Sequence, residues 1–411
     1  MSGMERPQLR PRLAVASEGR GAYVISDPLC LADRRVRVTS WELTWLRLFD
    51  GRRTLQDIHD EAMRNLDGQA VSLEVFMQFV QSLDDALFLE GPRFRSRLRE
   101  QLDNPIRPPS CTGTYGEDPD RLRRRLDGLF TGPGGAGRPG PRRPDESFRA
   151  ALIPHLDYER GGATYTWAFK ELYERTPATL FVIVGTSHHS LHRFTPTRKH
   201  FRTPLGVAPT DQAYIDRLAA HYGDGLFDDE LGAHAQEHSI ELEVVFLQYL
   251  FPDTPFRIVP LVVGSFLDCI VKGLPPVERD DIGRMIAALR AVERETPEPI
   301  CYIISGDLAH IGPFFGDPRP VSPSILAHSL RQDQALLREL GEGAKDQRPD
   351  PEGYFRVLAE ERDARRVCGL PPTYTVLEAI QPGRGELLRY DRHVDRNGQQ
   401  SVSFASVVFY R

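Results

Sequence analysis

Three short apolar runs in this chain each break off into histidine or aspartate: ALIPHLDY (151–158), FVIVGTSHH (181–189) and CYIISGDLAH (301–310). An unbroken apolar run of this length reads as a parallel strand buried on both faces, not as the alternating strand of a half-exposed sheet. From about residue 148 onward such runs alternate with helical patterns. Strands fall at 150–154, 180–184, 256–263 and 300–305, and helices near 164–175, 211–221, 240–250, 282–295 and 323–340. Repeated βα alternation specifies an α/β fold, a mainly parallel sheet flanked by helices. SVSFASVVFY (401–410) reads as a strand that closes the chain. In open α/β sheets ligands bind beyond the carboxyl ends of the strands. If the strands are neighbours, His155, His188, His189, Asp307 and His310 therefore collect at one edge.

Imidazole and carboxylate are ligand types for iron, copper and zinc. Two further stretches add to them. RRVCGLPPTYTVLEAI (365–380) sets Cys368 at the entrance to a helix, where the helix N-terminus lowers a thiol pKa. QEHSIELEVVFLQYL (236–250) sets Glu237, His238 and Glu241 at the start of an apolar helix, the two glutamates four apart and on one face. Taken singly, each has an ordinary structural reading: a loop-anchoring histidine, a small packed thiol, first-turn acids on a helix dipole, an aspartate capping a turn. Their repetition at equivalent positions favours a shared metal or catalytic site. His59, His192, His200, His221, His234, His328 and His393 lack that setting and read as structural or surface residues.

Residues 20–95 read as a separate small helical unit. Thr39-Ser40-Trp41-Glu42 is a capping box ahead of a helix with Leu43, Trp45, Leu46, Leu48 and Phe49. Thr54 opens a second helix with Leu55, Ile58, Ala62 and Leu66 on one face, and Ser72 a third with Phe76, Phe79, Val80, Leu83 and Leu87. LFLEG (87–91) suggests a short strand. YVISDP, LFDGRRTLQDI and FLEG in this order are similar to the PqqD-like winged-helix domains that recognise peptides. GPGGAGRPGPRRP (132–144) reads as a flexible loop.

A net charge of −6 on 411 residues gives no support to nucleic acid or an anionic membrane as the main partner. No apolar run approaches the ~20 residues that span a bilayer, and MSGMERPQLRPRL has no apolar stretch of a signal peptide behind it. Five scattered cysteines without a C-x-x-C pair fit free thiols in a reducing cytoplasm.

The chain from 107 to 411 resembles the Memo family, known in prokaryotes as AmmeMemoRadiSam system protein B. Seven stretches carry the resemblance in order: SCTGTY (110–115), IPHLDY (153–158), GTSHH (185–189), FRTPLG (201–206), EHSIE (237–241), SGDLAH (305–310) and CGLPP (368–372). The first lies before 132–144, which places that loop inside the domain. The resemblance implies a fold like that of class III extradiol dioxygenases and a metal held by His155, His188 and Cys368. Asp307 and His310 would be neighbouring acid/base groups, and His189 would orient the loop or touch substrate. Iron or copper is the expected metal, in a metal-dependent redox or oxygenase-like enzyme. The alternative is a non-catalytic peptide- or protein-binding module acting with a radical-SAM partner. A third reading makes Cys368 the nucleophile of a Cys-His hydrolase.

Overall fold

The computed structural model describes residues 5–32, 34–64, 71–341 and 348–411. The chain divides into two units, Met1–Pro105 and Ile106–Arg411.

In the first unit an antiparallel sheet of β1 (Ala14–Gly19), β2 (Ala22–Ser26) and β3 (Val36–Thr39), in that order, precedes four helices. These are α1 (Ser40–Leu46), α2 (Leu55–Arg64), α3 (Leu73–Asp85) and α4 (Pro92–Asp103). The capping box forms: the Thr39 hydroxyl accepts from the Glu42 N–H at 3.3 Å, and the Glu42 carboxylate accepts from the Thr39 N–H at 2.7 Å. Trp45, Ile58, Phe76, Val80, Leu83 and Phe88 meet in one core, as the helical spacing requires; Leu66 lies outside the described residues. The sheet adds three strands that the reading of a small helical unit with one short strand did not include. Every residue of β1 is exposed, so it leaves no apolar pattern to read. LFLEG forms only an isolated bridge between Leu9 and Leu89.

The second unit begins with β4 (Ile106–Arg107), α5 (Thr112–Tyr115), α6 (Pro119–Thr131), β5 (Phe148–Ile153), α7 (Gly162–Arg175) and β6 (Leu180–Thr186). It continues through β7 (Phe194–Pro196), β8 (His200–Thr203), β9 (Gly206–Ala208), α8 (Gln212–Tyr222), α9 (Glu230–His234), α10 (Glu241–Leu250) and β10 (Arg257–Val263). Then come α11 (Leu267–Lys272), α12 (Asp280–Glu295), β11 (Ile300–Ser305), β12 (His310–Ile311), α13 (Pro323–Glu339), α14 (Pro351–Glu360), α15 (Leu370–Ile380), β13 (Arg384–Val394) and β14 (Ser401–Tyr410). The stretch 132–144 is irregular and is held along α7, where Trp167 and Lys170 donate to the carbonyls of Gly134 and Ala136 at 2.8 and 2.9 Å.

The main sheet runs β12-β14-β5-β11-β6-β10-β7, with β13 on β14. The four central strands, β5, β11, β6 and β10, are parallel, and the flanking strands are antiparallel. The sheet is therefore mixed, with a parallel centre. Its polar edge strand β13, RGELLRYDRHV, carries no apolar run and was invisible to hydrophobic pattern. β5 and β6 are buried along their whole length. Alternate residues feed two cores: Ala150 and Leu152 pack on one face, Ala151 and Ile153 on the other, the period-2 geometry of a strand. Ser305 pairs with both Ile153 and Gly185. β5, β11 and β6 are thus level at their carboxyl ends, and the chemistry they carry emerges side by side.

Candidate metal centre

His155 stands two residues beyond β5, Asp307 two beyond β11 and His188 two beyond β6. Because these strands are adjacent and in register, the equivalence seen in sequence becomes proximity. The His155 N–H donates to Asp307 Oδ1 at 3.1 Å. Its ring Nδ1 lies 3.3 Å from the Ser305 hydroxyl, which itself donates to the Ser239 carbonyl at 2.6 Å. Ser305 has thereby used its proton, so Nδ1 carries the imidazole hydrogen and donates. Nε2 is left with a free lone pair. That Nε2 is 3.2 Å from Cys368 Sγ and 3.8 Å from Asp307 Oδ2.

His188 is set by a different partner. Its backbone N–H donates to Glu237 Oε2 at 2.8 Å, and its Nδ1 lies 3.0 Å from Oε1. Glu237 is only 1% exposed and also accepts the Ser239 N–H at 3.0 Å. A carboxylate on Nδ1 fixes the ring and turns Nε2 outward, the usual support for a metal-binding histidine. His238 approaches the same carboxylate, its Nδ1 3.5 Å from Oε1, and its ring stacks on His188 at 4.8 Å and 21°. The His155 ring stands edge-on to both, at 5.1 and 5.3 Å.

Two sets of ligand atoms, each lying within 4.8 Å of one another, share His155: His155-His188-His238 and His155-Asp307-Cys368. The expected ligands His155, His188 and Cys368 are divided between them. His310 belongs to neither set. Its Nδ1 faces the carbonyls of Leu308 and Arg366, both at 3.1 Å, and it lines a cavity of about 640 Å³ together with His155, His188, His238 and Asp307. His189 is exposed, its ring 6.3 Å from that of His188. Leu156, Phe315 and Val402 give the cavity an apolar wall, and Arg160, Gln236 and Gln400 a polar rim.

Cys368 reaches the centre through a close backbone approach. A Cβ on Gly306 would meet Gly369 Cα at 2.5 Å, so Gly306 of SGDLAH and Gly369 of CGLPP must both be glycine. The Gly369 N–H then donates to the Asp307 carbonyl at 2.9 Å. Cys368 immediately precedes α15, as its sequence suggests, but the expected lowering of its thiol pKa is reversed. Burial, and then the Asp307 charge, push it well up. A thiol held neutral in this way is no ready nucleophile, which weighs against the hydrolase reading.

The rest of the centre is also tuned by burial. Burial pulls His155 well down and His238 down to about 4, and pushes Asp307 up to about 7. His188 moves the other way: burial opposes its charge, but the Glu237 hydrogen bond outweighs it and raises the pKa. For Glu237, burial is overcome by His188, and its pKa falls well below the carboxylate range.

Glu237 and Glu241 do not share a helix face. α10 starts only at Glu241, so Glu237 lies in the preceding turn. Glu241 instead joins the first motif to the fold. It accepts from Arg107 at 2.5 Å, from the Ser110 N–H at 2.8 Å, from Cys111 Sγ at 3.0 Å and from the Tyr115 hydroxyl. Arg107 holds it down to about 2 against the effect of burial. Sequence places His238 beside Glu237 and Glu241 at the head of the apolar helix but assigns it no role as a ligand, and it does not single out Ser305. Their signal was the EHSIE and SGDLAH stretches themselves.

Residues 107–408 match the model of the Memo-like protein family, and the chain belongs to that family. A MEMO1 family protein of Aquifex aeolicus is 27% identical over 400 residues, covering 94% of this chain and 96% of its own. One from Thermus thermophilus is 26% identical over 360 residues, 87% and 99% of the two chains. One from Methanopyrus kandleri is 29% identical over 317 residues, 74% of this chain and 99% of its own. Among solved structures, an uncharacterized protein from Escherichia coli K12 is matched over 64% of this chain and 99% of its own at 15% identity. The TM-score of that match is 0.36.

Proposed function

We propose that the second unit is a metal-dependent redox or oxygenase-like enzyme that holds iron or copper on His155, His188 and Cys368. The carrying observation is the free Nε2 of His155 facing the Cys368 thiol, with His188 set beside it by a buried carboxylate. The donors fit such an ion. Two imidazoles and a thiol form a soft-leaning set, and a cation is what this buried thiol needs in order to ionise. Bound there, the ion would supply a Lewis acid and a one-electron redox change. Asp307, with a pKa near 7, is placed to hold or release a proton beside the ligands. His310 and Arg160 face the cavity where substrate would lie, and His189 stands outside as an orienting or substrate-contacting group. The mixed sheet and the strand-end site are in keeping with a class III extradiol dioxygenase-like fold.

A second reading is supported by the N-terminal unit, which has its own core and a sheet whose first strand is fully exposed. In it the unit is a PqqD-like winged-helix module that binds a peptide. The Memo-like unit would then serve a radical-SAM partner without catalysis. Either way five scattered cysteines without a C-x-x-C pair suit a reducing cytoplasm. Among the described residues no helix is long and apolar enough to cross a membrane. Metal analysis of anaerobically purified protein separates the readings. About one iron or copper per chain supports the enzyme; protein that carries none and takes up none overturns it.

A further inference from the structure

We propose that His238 is a further metal ligand, which gives the centre three nitrogen donors and lets it keep a metal when the Cys368 thiol is disengaged. This rests on the metal-binding reading above and extends it. Three observations point to His238. One nitrogen of His155, of His188 and of His238 lie within 4.8 Å of one another. Nδ1 of His238 and Nδ1 of His188 approach the same Glu237 oxygen, at 3.5 and 3.0 Å. Their rings stack at 21°. Two nearly parallel imidazoles with Nδ1 turned toward one carboxylate present their Nε2 atoms to the same side. That side opens on the cavity, which His238 lines together with His155 and His188. One buried carboxylate thus faces both histidines, hydrogen-bonded to His188 as a ligating histidine ordinarily is and 3.5 Å from Nδ1 of His238.

The distances leave room for a cation. Bonds of about 2.1 Å in tetrahedral array set ligand atoms about 3.4 Å apart. Closing from 4.8 Å or less takes about an ångström of movement per ring, and His188 and His238 are each about one-third exposed on the cavity side and free to make it. The alternative role for His238 is a passive spacer that stacks on His188 and binds nothing.

Cobalt(II) is the probe, titrated anaerobically into metal-free protein, because its visible bands report geometry and a near-ultraviolet charge-transfer band reports sulfur. Cys368→Ser is expected to bind cobalt still, more weakly and without the sulfur band. His238→Gln is expected to keep the sulfur band, change the visible bands and weaken binding by about tenfold or more, at least what loss of an outer-shell partner costs. The double variant should bind no cobalt. His238→Ala with added imidazole should recover affinity, a rescue that a packing role would not give. His238→Gln that titrates with unchanged affinity and visible spectrum overturns the proposal. So does His238→Ala that stays folded, loses binding and is not rescued. A wild-type protein that binds cobalt without a sulfur band, yet loses it in His238→Gln, instead overturns the assignment of Cys368 and leaves His238 standing.

Discussion

The two sides of the centre meet at His155 and are built on opposite electrostatics. On the nitrogen side, Glu237 is charged, buried and saturated with donors: the His188 N–H and ring and the Ser239 N–H. It holds His188 up and is itself held down. On the sulfur side, Asp307 is pushed up to about 7 and Cys368 well above the ordinary thiol. Among the described residues no lysine or arginine hydrogen-bonds to that pair; the Asp307 side chain accepts from the backbone N–H of His155, and His188 and Arg160 offset its burial only in part. The nitrogen side is preorganised by its own counter-charge, whereas the sulfur side stays neutral until a cation arrives. The contrast explains how one small site can be stable when empty and still have thiolate to offer.

His155 belongs to both sides, so His155→Ala should have the largest effect. Cobalt, iron and copper uptake should all fall below detection by metal analysis, with the fold intact by circular dichroism. Retained binding would mean that the two sides are independent sites. Glu237→Gln should follow. It loosens His188 and His238 together, and metal affinity should fall about 10–100-fold in titration. It also removes the counter-charge from a pair buried only on the Glu237 side, with a stability loss of about 1–3 kcal/mol in urea unfolding.

The pH dependence of the metal-free protein sharpens the comparison, because the two carboxylates carry opposite signs. Glu237 is depressed below its unfolded value of 4.5. Its contribution is present above pH ~4.5 and lost as pH falls through the folded pKa. Asp307 is raised from 3.8 to about 7. The folded state keeps a proton that the unfolded state has released, so stability declines as pH rises from about 4 to 7, by up to about 1.4 kcal/mol per pH unit. Asp307→Asn should flatten that decline, and Glu237→Gln should flatten the acid limb. Urea midpoints across pH 3–8 check both, and the same slope change in both variants would break the contrast.

Glu243 should give the smallest effect. It is fully buried, and burial raises its pKa well above 4.5 against the opposing effect of the nearby Ser305 hydroxyl. An acid held neutral loses little by becoming an amide, so Glu243→Gln should change stability by less than about 1 kcal/mol at pH 4 and raise it at pH 8. A loss at pH 8 would show a charged Glu243 with a partner.

The meeting of His155, His188 and Asp307 was legible in the sequence for a simple reason. His155, His188 and Asp307 each follow a fully buried strand at the same two-residue offset, and parallel neighbours turn equal offsets into contact. His238 was visible as a candidate but not its place among the ligands, because EHSIE follows no strand: that place depends on where α9 and α10 close over the sheet edge, a long-range outcome. The pairing of Glu237 with Glu241 on a helix face failed through a helix start misplaced by a single turn. The thiol of Cys368 was misjudged because a helix N-terminus is visible in sequence and burial is not. The small sheet β1–β3 escaped for the same reason in reverse, since its first strand buries nothing.

The central claim is that one metal ion draws ligands from both sides. X-ray absorption at the metal edge of iron- or copper-loaded protein reads it directly. The account predicts one sulfur neighbour at about 2.3 Å together with a shell of imidazole nitrogens at about 2.0–2.1 Å, the sulfur vanishing in Cys368→Ser while imidazole scattering persists. A spectrum of light atoms alone in the wild-type protein, with no sulfur, would contradict it.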